Sequence, residues 1–202
     1  MKNLTDINNL EELINWLEKF DIPYQAWGQD LTKTVTNLFD EIKSGDCKLL
    51  LNSPIRIVHV VQVLIFQYDK VLVEKEQVFS DNRIRARLVP PSEKMKANEN
   101  WREAAFRCLE EELQLPSQEV NIISTEIKPK IRNRISFSYP GLKSRYHINQ
   151  VVVSTIKLPP NDFWTYEKND TVYHHLVNQH KWGWVNPNVI HFNPEESSFD
   201  SK

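Results

Sequence analysis

Residues 92–115 read SEKMKANENWREAAFRCLEEELQL. A polar run, 92–100, leads into a segment with apolar residues at helical spacing. Advancing 100° per residue from Glu99 puts Ala105, Phe106, Leu109 and Leu113 on one face, which must be buried. Cys108, Glu111 and Glu112 fall on one strip at the border of that face. Carboxylates on such a strip can gather a hard divalent cation, which prefers oxygen ligands. Arg107 lies four residues after Glu103 and four before Glu111, so it can bridge them.

The flanking sequence sets this helix among strands. KLLLN, IRIVHVVQVLIFQYD and KVLVEKEQVF, between 48 and 79, read as strands, the β-branched second one long and buried, with a hairpin turn at YDK. IRARLVP adds a strand stopped by Pro90 and Pro91. After the helix, EVNIISTEIKPKI, RISFSY and YHINQVVVSTIKL read as strands. PPNDFWTYEKND reads as loop or short helix, TVYHHLVNQ as helix and HKWGWVNP as a short strand. Strands, helix, strands, helix predicts an α/β (α+β) sandwich around a mixed sheet.

Residues 1–46 form an N-terminal helical extension. Leu10, Leu13, Ile14, Leu17 and Phe20 share one stripe. Leu31, Val35, Leu38, Phe39 and Ile42 share another, with Asp30 as its cap and Gly45 as its stop. Two short helices cannot bury both stripes alone, so they pack on the chain downstream of them or meet a protein partner. The expected division is 1–46, a domain over 47–193, and a flexible acidic tail over 194–202.

Composition narrows the function. The chain has 202 residues, a net charge of −2 and 40% hydrophobic residues, which suits a packed domain without general nucleic-acid binding. The four glycines, at 28, 45, 141 and 183, make neither GxGxxG nor GxxxxGK[ST]. The two cysteines, Cys47 and Cys108, make no CxxC and no metal spacing, which fits a reducing compartment. No run of about 18 apolar residues predicts a membrane span, and a cytoplasmic location is expected.

The helix segment resembles the Nudix box, G-x5-E-x7-R-E-U-x-E-E-x-G-U, where U is aliphatic. Glu99 takes the first glutamate position, Arg107 the arginine, Leu109 the first aliphatic, Glu111 and Glu112 the paired glutamates and Leu115 the last aliphatic. The box glycines are replaced by Glu93 and Gln114, and the glutamate after the arginine by Cys108. The resemblance implies a Nudix-like α/β/α sandwich, with Glu99, Glu111 and Glu112 as ligands for Mg2+, Glu111 and Glu112 in catalysis and Arg107 orienting them. Metal binding in that family prepares water to attack a diphosphate linkage. A soft thiol at 108 is a poor magnesium ligand, so weak or lost hydrolysis is expected. An active hydrolase remains open if Glu93 or Glu126 supplies a further carboxylate. A non-enzymatic interaction module remains open if the acidic helix is only solvated surface.

Residues 127–160 carry seven Lys or Arg and no Asp or Glu. Such a stretch suits a phosphorylated ligand, with charge for phosphate and aromatic rings for a base. Arg134, Lys143, Arg145 and Tyr146 are the expected substrate contacts, because they flank the turn at Gly141. Alternation also allows Lys128, Lys130, Arg132 and Arg134 to be one solvated strand face. His174, His175 and His180, near Trp182 and Trp184, read as packing or capping residues.

Overall fold

The computed structural model describes residues 4–30, 32–166 and 177–190. The N-terminal part holds β1 (Leu4–Thr5), α1 (Leu10–Lys19), α2 (Val35–Lys43) and β2 (Lys48–Leu50). The middle holds β3 (Ile55–Gln67), β4 (Lys70–Phe79), β5 (Ile84–Val89), β6 (Ser92–Lys94) and α3 (Trp101–Leu113). The remainder holds β7 (Asn121–Ile122), β8 (Lys130–Ile135), β9 (Lys143–Ser154), β10 (Phe163–Tyr166) and β11 (Val177–Val185).

The sheet is built on β3, whose apolar, β-branched run suits a strand buried on both faces. One edge of β3 pairs in parallel with β9 along residues 55–65. Its other edge receives β2, then β6, then the start of β4, all antiparallel. From β4 the sheet continues through β11 to β10, with β5 on the other edge of β4. The outer edge of β9 carries β7 and β8.

Alternation along β3 and β9 divides the core. Val61, Val63, Ile65, Val151 and Val153 face α3, packing with Ala104, Ala105, Cys108, Leu109 and Leu113. Val58, Leu142 and Tyr139 face the other way, into Leu13, Trp16, Leu17, Trp27 and Leu38. Helices therefore cover both faces of the mixed sheet, as the sequence predicts. Leu13 and Leu17 of α1 and Leu38 of α2 are buried there, with Phe20, Val35, Phe39 and Ile42 packed beside them, while Leu10 stays exposed.

Several elements differ from expectation. Helix α2 starts four residues late, because Thr34 and Asn37 form a reciprocal capping box, while Asp30 sits at φ 51 in the left-handed region. Residues 119–131 are not one strand. Strands β7 and β8 run the same way along β9, separated by a loop at 123–129 that ends in Pro129. Residues 163–166 form β10, and 177–179 extend β11 instead of a helix, since both complete the sheet beyond β4. Residues 92–94 form β6 on the edge of β3. His174, His175 and the acidic tail lie outside the described residues.

Two glycines show how the N-terminal helices seat on the sheet. At Gly141 (φ +84) a Cβ would lie 2.5 Å from Pro23 Cδ, and at Gly45 (φ +84) one would lie 2.7 Å from Ala97 Cβ. The turn at Gly141 is thus tucked under the N-terminal segment, where Trp27 Nε1 donates to Pro140 O at 2.9 Å. No described helix is long and apolar enough to cross a membrane.

Candidate functional site

Helix α3 begins with a second capping box. The Asn100 side chain accepts from Arg102 and Glu103 backbone N–H, and Glu103 accepts from Asn100 N at 3.0 Å. This fixes the register that brings Arg107 over the preceding loop. Arg107 Nε and Nη2 donate to the two oxygens of Glu99 at 2.8 and 2.9 Å. Nη2 also donates to Lys94 O at 2.6 Å, and Nη1 to Glu111 at 3.0 Å. Glu93 approaches Nη1 at 3.7 Å. Hydrogen bonds from Arg107 hold the Glu99 carboxyl below its ordinary pKa, whereas burial pushes that of Glu93 up against the pull of Arg107. Burial opposes the Arg107 charge, but Glu99, Glu93 and Glu111 outweigh it and raise its pKa.

Position 108 corrects the helical arithmetic. Cys108 is 0% exposed and belongs to the core between α3 and the sheet, while Phe106 is only half-buried. The buried stripe runs through Ala104, Ala105, Cys108 and Leu109, so the face is rotated towards Cys108. Burial, with Glu112 and Glu93 nearby, pushes its thiol well above the ordinary value.

Glu112 looks away from Arg107, towards the sheet. Its Oε2 lies 3.6 Å from His180 Nδ1, and Glu74 Oε1 lies 2.5 Å from the same nitrogen. Arg87 Nη1 meets the other Glu74 oxygen at 2.8 Å. His180 and Glu74 are both buried. Thr165 Oγ1 donates to Glu112 O at 2.7 Å and accepts from Trp182 Nε1 at 2.8 Å, locking the end of α3 to β10 and β11. Sequence alone marks His180 only as a packing or capping residue; its pairing with Glu74 depends on β4–β11 register and has no local signal.

These contacts bear on Mg2+. Both Glu99 oxygens are held by Arg107, Glu111 shares the same guanidinium, and Glu112 is turned to His180. Magnesium demands near-octahedral oxygen ligation. Among the described residues no group of three or more His, Cys, Asp and Glu is arranged to hold a metal ion. The side chains as placed do not fit the ion.

The expected substrate contacts divide between the sheet faces. In β8–β9 register, Arg134 opposes Ser144 and Asn133 opposes Arg145, so Arg134 and Tyr146 face the N-terminal helices while Lys143 and Arg145 share the α3 face. Arg134 stacks over the Tyr146 ring at 4.4 Å. Burial would raise the Tyr146 pKa, but Arg134 and Arg56 outweigh it and lower it. Nearby, buried Glu41 is met by Lys33 at 2.8 Å, Arg56 at 2.5 Å and Lys94 at 2.6 Å. Arg56 in an apolar strand was the available signal for this buried pair, since a buried charge needs a partner.

Residues 93–113 thus form a loop and helix tied by the box arginine. A mixed sheet covered by helices on both faces, with this loop and helix on one of them, agrees with the fold that the resemblance implies. No family model and no curated protein matches this chain. Solved structures similar to it include the E. coli ORF135 protein, at 18% identity and TM-score 0.37 over 65% of this chain and 75% of that one. They include a C. elegans Ap4A hydrolase binary complex, at 11% identity and TM-score 0.35 over 64% and 79%. A NUDIX hydrolase from Nitrosomonas europaea is also similar, at 17% identity and TM-score 0.35 over 62% and 71%.

Proposed function

We propose that this Nudix-like protein binds a phosphorylated, nucleotide-type ligand and hydrolyses it weakly or not at all. The observation that carries the reading is the engagement of the box carboxylates. Glu99 and Glu111 are held by Arg107, Glu112 is turned to His180, and position 108 offers a buried thiol. The acid-free stretch 127–160 supports an anionic ligand, because Lys143 and Arg145 lie on the same sheet face as the box helix. The test is equilibrium binding of ADP by calorimetry, with the ligand recovered afterwards. Saturable binding with ADP recovered intact supports the reading; no binding overturns it.

A second reading, an active Mg2+-dependent hydrolase of nucleoside-diphosphate derivatives, is favoured by one observation. Glu93 joins Glu99 and Glu111 around Arg107, supplying a further carboxylate beside the box. Metal-dependent turnover lost in Glu112→Gln would establish it.

A further inference from the structure

We infer that the outer edge of β5 is a docking strand for an extended segment of a partner protein in which apolar and acidic residues alternate. The inference is independent of nucleotide binding. Strand β3 pairs with β4 only at Phe66–Val71 and Gln67–Lys70, and β5 takes over that edge of β4 further along. Among the described residues β5 pairs with no strand but β4. Its backbone is turned to receive a second neighbour. Phe79 N–H donates to Arg83 O at 2.9 Å, so these two residues form a hydrogen-bonded pair. In the same register Arg85 also points its backbone groups at β4, while Ile84 and Ala86 point theirs at the open edge.

The side chains name the occupant. Ile84 and Ala86 share one face of β5 and are exposed, as is Leu88 next along the strand; Ile84 is 65% and Leu88 43% exposed. An open edge with apolar residues of this kind is a template for strand pairing. Arg83 and Arg85 share the other face. Arg83 meets Asp81 at 2.6 Å, and Arg87 meets Glu74 at 2.8 Å. Arg85 donates instead to the neutral Gln77 Oε1, at 3.0 Å from Nε, with the Phe79 and Phe137 rings 5.3 and 5.8 Å away. Burial, and then Arg87, lower its pKa. An acidic side chain on an added strand answers Arg85, and apolar ones extend the row of Ile84. A second copy of this chain does not. Antiparallel pairing of two β5 strands about Arg85 or Ala86 sets arginine opposite arginine, which destabilises the pair. The outer strand β8 has Lys130, Arg132 and Arg134 at alternate positions, so bringing it to β5 also sets basic residues together. Edge pairing needs N–H and C=O groups on the occupant, which selects a polypeptide over a nucleic acid.

The experiment measures fluorescence anisotropy of a labelled peptide of about eight alternating valines and glutamates, titrated with the full chain. Saturable binding that weakens with salt is expected. Arg85→Gln is expected to weaken it about tenfold, the value of one charge-assisted contact. Ala86→Pro removes the N–H that faces the open edge and spares the ladder to β4, and is expected to weaken it by a similar factor. Methylating alternate backbone nitrogens of the peptide blocks pairing without altering the protein, and is expected to abolish binding. Lys70→Met, in the exposed β3–β4 turn, is the control and leaves binding unchanged. Absence of binding overturns the inference, since the arginines then only guard the edge. Equal binding of a peptide with lysine for glutamate overturns the acidic partner, and binding that survives methylation overturns edge pairing. Self-association of the chain in sedimentation, lost in Ala86→Pro, would assign the edge to a second copy and overturn the partner. Binding confined to an oligonucleotide would overturn it as well.

Discussion

Arg107 grips both carboxylate oxygens of Glu99, eight residues upstream, through Nε at 2.8 Å and Nη2 at 2.9 Å. Since the same guanidinium also donates to Lys94 O and Glu111, it fastens the box loop to the helix. Arg107→Met is expected to cost about 2–4 kcal/mol, from several charge-assisted hydrogen bonds in a partly buried setting. Arg107→Lys recovers little of this, because an ammonium cannot reproduce the planar fork. Urea denaturation of the three proteins checks the order.

Cys108 sits where a glutamate would have to enter the core. Cys108→Ala is expected to cost about 1 kcal/mol, a small core truncation. Cys108→Glu is expected to cost several times more, because a carboxylate there must be desolvated. Both cysteines are buried with raised thiol pKa values, mainly through burial. They should resist a thiol reagent in the native protein and react in denaturant. Rapid native labelling of Cys108 would contradict its placement.

Glu41 makes acid stability measurable. Burial pushes its carboxyl pKa up, but Arg56, Lys94 and Lys33 outweigh it and hold it below the ordinary 4.5. A depressed carboxyl stabilises the fold above its unfolded pKa, and this contribution is lost as pH falls through the folded one. Glu41→Gln leaves Arg56 buried without its counter-charge and is expected to cost about 3–5 kcal/mol at pH 7. The gap between variant and wild type should narrow steadily below pH 4.5, as chemical denaturation across pH would show.

Gln114 takes a left-handed conformation, φ 57, at the C-cap of α3. This is a position where glycine costs least. Gln114→Gly is therefore expected to stabilise the protein by about 0.5–1 kcal/mol, read as a rise in melting temperature. A fall would show that the Gln114 contact to Tyr166 O, at 3.5 Å, matters more than backbone strain.

Much of the fold was legible because it depends on local pattern. The run from Ile55 to Phe79 reads as two strands because it is apolar and β-branched on either side of one turn, although the two pair only next to that turn, and the register of Glu99, Arg107 and Glu111 needs only one loop and helix. Helical arithmetic misplaces Cys108 because two adjacent stripe positions compete for the core, and the sheet decides which wins. Side-chain contacts made by strand pairing, such as Glu74 with His180 across β4 and β11 or His59 with His147 across β3 and β9, link residues far apart in sequence; nothing local marks them. In sequence the turn at Gly141 resembles a ligand loop, but its glycine is needed for the approach of Pro23. Sequence distance groups Arg134 with Arg145, yet odd spacing on adjoining strands sends them to opposite faces.

Weak or lost hydrolysis is best checked by single-turnover reaction of a labelled nucleoside-diphosphate derivative, with protein in excess over substrate and Mg2+ or Mn2+ present. The bound nucleotide is expected to be recovered intact, at the same level for wild type and Glu112→Gln. Metal-dependent cleavage by wild type that Glu112→Gln abolishes would contradict it.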